Sequence, residues 1–181
     1  CGTLKMHFVK PLIKYFSKNE HKFLILLFCS SFVLRIFYLL WRGEYLEYVG
    51  DEGFYGTIAG NFAAGKGFVF DGIFYTTRMP LLTVVGSLFV KIFGYSVFKI
   101  HVFGAFLGSF IPLTAYFLAK EWLQQKSTAI YTAVYTMFYP FFIHEASYYD
   151  PENIFIPIFL IYLCRLIIIN KEKPTDRKSV V

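Results

Sequence analysis

Apolar positions in this chain gather in long unbroken runs parted by short polar stretches, and the runs predict helices. Residues 23–41, FLILLFCSSFVLRIFYLLW, come close to the roughly 20 residues a helix needs to cross a bilayer core. Trp41 closes that run where an interface anchor belongs, and the run lies too far from a small-residue cleavage site to be a removed signal peptide. Residues 102–119, 128–143 and 153–169 form further apolar runs of crossing length. Residues 80–94, PLLTVVGSLFVKIFG, are short for a crossing and read as an interfacial or re-entrant helix.

Charge then orients the runs. Lys5, Lys10, Lys14, Lys18 and Lys22 precede the first run, as on a cytoplasmic flank. The polar stretch 42–79 has three basic residues against Glu44, Glu47, Asp51, Glu52 and Asp71, which places it outside the cytoplasm. If 80–94 does not cross, Lys120 and Lys126 lie inside, the acidic turn 144–152 lies outside and the basic tail returns inside. If it does cross, all three invert against the positive-inside rule. The expected fold is therefore an all-α polytopic membrane protein. It has four transmembrane helices, interfacial helices and a small extracytoplasmic hairpin. Its parts are a basic cytoplasmic tail 1–22, a membrane module 23–170 and a tail 171–181.

Composition agrees. Of 181 residues, 56% are hydrophobic and 22% aromatic, the mean hydropathy is +0.52, and 17% are charged. A soluble domain carries about 25% charged residues. The net charge of +6 sits on flanks of membrane runs with no soluble domain behind it, which argues against a nucleic-acid partner. Cys29 and Cys164 lie inside apolar runs and Cys1 stands alone, so these read as unpaired thiols.

Within 42–79, Asp51 is placed to cap a short helix along the membrane surface, with Phe54, Ile58 and Phe62 on one face and Gly65 as its stop. The sequence FVF-DG-IFY, 68–75, carries the two-residue hairpin signal. Gly104 and Gly108 make a GxxxG, which predicts close helix–helix packing.

The candidate chemistry lies in the polar stretches. Asp51 and Glu52 either cap a helix or do chemistry; a helix N-terminus favours the ionised carboxylate, suited to accept a proton or hold a metal ion. His144, Glu145, Asp150 and Glu152 crowd the second outer turn, in a spacing that matches no zinc pattern. Glu152 opens a membrane helix, where capping is the plainer role. Arg35 lies inside the first run, where an arginine either snorkels to the interface or marks a polar cavity or anionic partner. With Arg78 and Lys99 it offers phosphate-binding charge at the lipid boundary.

Taken in order, several features resemble the start of a polytopic GT-C glycosyltransferase of the protein mannosyltransferase-like and aminoarabinose transferase-like kind. They are the basic tail, Arg35, GDEGFYGTIAGNFAAGKGF, the hairpin, TRMPLLTVVGSLFVKIFG, Lys99 and YPFFIHEASYYDPENIF. The resemblance covers residues 20–170 approximately. It implies transfer of a sugar from a polyprenyl-phosphate donor to a lipid, glycan or protein acceptor, at the extracytoplasmic face of a bacterial inner membrane. Asp51 matches the essential first-loop acid, with Glu52 and Tyr55 beside it. Arg78 matches the basic residue that contacts the lipid phosphate. Glu152, in Asp-Pro-Glu with Asp150, matches the second-loop acid or a metal ligand. No cofactor is named by the sequence, and a divalent metal stays open. Phe54 stands where the aminoarabinose branch has an arginine, and one proline, Pro80, follows Arg78 where that family often has two.

Met6 has the setting of a natural start, and DRKSVV, 176–181, reads like one frame of a sequencing adaptor, so a truncated translation is expected here. The later helices and C-terminal domain of the family would then be missing, and the 181 residues alone would be inactive. The rival reading is a non-enzymatic channel or transporter subunit. That reading calls for acids inside the spans, whereas these acids sit in loops.

Overall fold

The computed structural model describes residues 15–16, 18–43, 46–48, 50–74 and 80–172. Arg78, Lys5, Lys10, Lys14 and the tail 173–181 lie outside the described residues.

Helix α1, Glu20–Arg42, is 23 residues long and ends on Gly43 in the left-handed region. That length rises about 34 Å, enough for a bilayer core of about 30 Å. Phe23, Leu27, Ser31, Arg35 and Leu39 recur every fourth residue and form its buried stripe. Ile25, Val33, Phe37 and Trp41 face outward, as the apolar surface of a membrane helix does.

Helix α2, Glu52–Ala63, follows, and Gly65 stops it as expected. Asp51 holds the N-cap position but its side chain makes no capping hydrogen bond. The reason is local: its backbone is already helical, at φ −69 and ψ −23, rather than in the extended region a capping residue adopts. Strands β1, Val69–Phe70, and β2, Ile73–Phe74, pair antiparallel with Val69 opposite Phe74. Asp71 and Gly72 both take positive φ, as the tight hairpin turn requires. Asn61 Nδ2 donates to the Val69 carbonyl at 2.8 Å, and Phe54 meets Phe70 at 4.4 Å between ring centres, so the hairpin is bound to α2.

Helix α3, Pro80–Phe93, has 14 residues and buries Leu82, Thr83, Gly86, Ser87 and Val90 on one face. Helices α4, Val97–Gly108, and α5, Ile111–Leu123, run on through a turn at Ser109–Phe110. Pro112 has no N–H to return to the Gly108 carbonyl, which accounts for the interruption. Helix α6, Lys126–Phe138, and helix α7, Pro140–Glu145, are separated by Tyr139, and α8 spans Glu152–Glu172.

The apolar run 128–143 therefore does not form one helix, contrary to the sequence expectation. Pro140 pushes the residue before it out of the helical region, and Tyr139 sits at ψ 119. The 13 residues of α6 rise about 20 Å, short of a bilayer core. Among the described residues, three helical stretches are long and apolar enough to cross a membrane: Glu20–Arg42, Val97–Leu123 and Glu152–Glu172.

Side chains identify the two ends of the bundle. At one end Glu20 pairs with Lys120 at 2.5 Å and Lys126 at 3.2 Å, and Lys171 reaches Glu121. Near this end Phe23, Leu27, Tyr116, Ala129 and Met137 form one core. At the other end Tyr38 meets His144 at 2.9 Å, and a second core joins Tyr55, Leu82, Val90, Ile100 and Tyr149. The stretch 126–145 thus runs from the first end to the second, with a break at Tyr139.

Candidate functional site

Glu52 begins α2 and is fully buried, which for a carboxylate demands partners. Partners reach it from distant parts of the chain. His101 Nε2, on α4, lies 2.8 Å from Glu52 Oε2, and the Tyr149 backbone N–H donates to the same oxygen at 3.1 Å. His101 is also fully buried, and so is Tyr149. One carboxylate therefore joins the first polar stretch, α4 and the turn before α8.

The turn can reach Glu52 because α4 makes room for it. His101, Gly104, Ala105 and Gly108 share one buried face. A Cβ at Gly104 would overlap the Tyr148 carbonyl, and one at Gly108 would overlap Ala146. The close packing expected of the GxxxG is present, against the backbone of 146–149 and, at Gly108, against Asn153 at the start of α8 as well; small residues admit this close approach. Tyr149 completes the fit by inserting between α2 and α3. Its hydroxyl donates to the Leu82 carbonyl at 2.5 Å, and it fills the space over Gly86.

The next residue is Asp150, and its environment is strongly acidic. Burial, first, then the charges of Glu52, Glu152, Glu145 and Asp51 raise its carboxyl from the usual 3.8 to about 7. Its Oδ1 is buried without a hydrogen-bond donor among the described residues. Nearby, burial and a 3.1 Å hydrogen bond to Tyr95 hold the Tyr48 hydroxyl firmly protonated. An acid titrating near neutrality can hold or release a proton at working pH, the property acid–base chemistry needs.

The sequence-predicted residues divide as follows. Asp51 is exposed and close enough for its charge to act on Asp150. Glu152 is exposed at the start of α8, beside Asp150. Tyr55 is 4% exposed and belongs to the core with Leu82 and Tyr149. Arg35 is wholly buried in α1 and does not snorkel: its Nη1 donates to the Ser31 carbonyl at 3.1 Å and to the Ser31 hydroxyl. Its Nε and Nη2 have no acceptor among the described residues. Lys99 is exposed and donates to the Phe93 carbonyl at 2.5 Å, closing the end of α3. Arg78, the predicted phosphate contact, lies outside the described residues. Among the described residues no group of three or more His, Cys, Asp or Glu is arranged to hold a metal ion.

His101 and Tyr149 were not singled out by the sequence. A signal for His101 was present: with Lys99 it is one of two polar side chains on an otherwise apolar helix, and it is in register with Gly104 and Gly108. Arg42, one of the three basic residues of the stretch 42–79, lies with its guanidinium 3.8 Å over the Tyr148 ring and braces the same turn. Comparison with protein-family models, curated proteins and solved structures finds no match.

Proposed function

We propose that the protein is a membrane glycosyltransferase that moves a sugar from a polyprenyl-phosphate donor to a lipid, glycan or protein acceptor. The observation that carries this reading is the junction of Glu52 with the Tyr149 N–H, which sets the carboxylates of two separate loops beside each other at one end of the bundle. Asp51 from the first loop and Asp150 from the second then border a common polar region.

In this reading Asp51 accepts the proton of the acceptor hydroxyl as its oxygen attacks the anomeric carbon. The bond from that carbon to the phosphate oxygen breaks, and polyprenyl phosphate leaves with the electron pair. Asp150, titrating near neutrality, hydrogen-bonds the acceptor and holds it for attack. Arg78 supplies charge to the leaving phosphate, with Arg35 and Lys99 as further candidates.

The membrane arrangement we propose has four crossings, the third being the broken pair α6–α7, and α2, α3 and the hairpin at the outer surface. Lys120, Lys126 and Lys171 gathered at the opposite end support a cytoplasmic assignment for that end. The site then faces away from the cytoplasm, where a lipid-linked donor and a water-borne acceptor meet.

The test is donor consumption. Full-length protein in lipid vesicles is given radiolabelled hexosyl and pentosyl polyprenyl phosphates together with crude membrane acceptors. Loss of label from at least one donor, dependent on the protein, supports the reading. Stability of every donor contradicts it.

A further inference from the structure

We infer that Glu52, His101 and Tyr149 form a buried clamp that seats the second loop on the membrane helices, and that His101 is a positioning residue that holds Asp150 at the site. The inference rests on the proposed transferase reading only for what Asp150 does. The clamp itself stands on geometry.

Three contacts lock Tyr149 from three sides. Its N–H is held by Glu52 from α2, its hydroxyl by the Leu82 carbonyl of α3, and its backbone lies against Gly104 of α4. Two of these involve groups screened from water, since Glu52, Tyr149 and Leu82 are each 0% exposed. A buried carboxylate needs hydrogen bonds to stay in place, and His101 Nε2, 2.8 Å from Glu52 Oε2, ties it to α4, an element distinct from both loops. The imidazole also packs against the Tyr48 ring, 5.9 Å between centres, which fixes its plane. Ser147 and Ala146, one and two residues further back from Tyr148, are equally buried, so the whole turn from 146 to 149 is packed, and Asp150 emerges from it as a fixed end.

The clamp also explains the proton affinity of Asp150. Facing it are Glu52 and Asp51 from the first loop and α2, Glu145 from α7 and Glu152 from α8, with burial as the largest influence. Burial and the charges of Glu52 and Asp51 depend on the turn staying seated, whereas Glu145 and Glu152 belong to the same stretch of chain. If it lifts, water enters and the carboxyl returns toward its usual range. Glu52 accordingly acts here through the backbone of the second loop, while Asp51 beside it is exposed.

The test uses the full-length protein with Ser147→Cys as a buried reporter in a background otherwise free of cysteine. A small thiol reagent reports how often the turn lifts. His101→Ala is expected to speed labelling at least about tenfold, in keeping with the loss of a buried hydrogen bond to a charged group. His101→Gln keeps an N–H donor and should stay within about threefold of the parent. Tyr149→Phe, which drops only the Leu82 bond and preserves the fold, should give an intermediate increase. In transfer assays His101→Ala should move the ionisation near neutrality in the pH profile of kcat to lower pH, and His101→Gln should restore it. If His101→Ala leaves labelling unchanged, or His101→Gln labels as fast as His101→Ala, the clamp is wrong. Labelling that follows the expected order in a protein that consumes no donor would keep the clamp and reject the transferase reading.

Discussion

The Tyr149 backbone N–H donates to the Glu52 carboxylate at 3.1 Å across 97 residues of chain. That contact needs the 146–149 turn to lie directly on α4, and Gly104 provides the space. Gly104→Ala would place a methyl group against the Tyr148 carbonyl, a backbone atom that cannot turn aside. Overpacking of this kind costs about 1–3 kcal/mol. Thermal unfolding in detergent should show Gly104→Ala clearly less stable than the parent; an unchanged melting temperature would mean that the turn is not seated there.

Asp150 gives stability a pH dependence of known sign. It binds its proton more tightly in the folded chain, at about 7 against the usual 3.8. Its stabilising contribution is therefore full below about pH 4, declines as pH rises and is gone above about pH 7. Asp150→Asn stays neutral and escapes this loss. Its melting temperature should match the parent near pH 4 and exceed it near pH 8. Parallel melting profiles across that range would show that Asp150 sits in water.

Membrane orientation is open to direct labelling. Asp71, Gln124 and His144 are exposed, and each can be replaced by a single cysteine. An impermeant maleimide should reach positions 71 and 144 in intact cells, and position 124 only after permeabilisation. Labelling of 124 together with 71 from outside would place the two ends of the bundle on one side and reject the four-crossing arrangement.

Arg78 is expected to hold the donor phosphate. Arg78→Ala removes the charge and the planar fork, while Arg78→Lys removes the fork alone. The donor KM should therefore rise more for alanine than for lysine, with kcat the less affected of the two constants. Equal and small effects would assign Arg78 a structural role.

The long apolar runs and the Asp71-Gly72 turn were legible because each rests on local chemistry: length and hydropathy for the one, positive φ for the other. The break in α6–α7 was also written locally, in Pro140, but the apolar run around it concealed it. The clamp was not legible. Glu52 and His101 lie 49 residues apart, and nothing near either one announces the other. Gly104 and Gly108 did signal close approach, yet spacing alone gives no way to tell a partner helix from a folded-back loop. Asp51 and Glu52 looked alike as neighbours in sequence, and only the fold separates them, one exposed and one buried.

The central claim is that Asp51 is the proton acceptor of a sugar transfer, and Asp51→Asn tests it with the least disturbance, since shape is kept and only the charge is lost. Thermal unfolding of the variant is followed alongside, so that a loss of fold is separated from a loss of turnover. With a donor that the parent consumes, steady-state turnover of Asp51→Asn should fall by at least about 10²-fold, the contribution of a positioned general base. Turnover within a few-fold of the parent, in a variant of unchanged stability, would contradict the account.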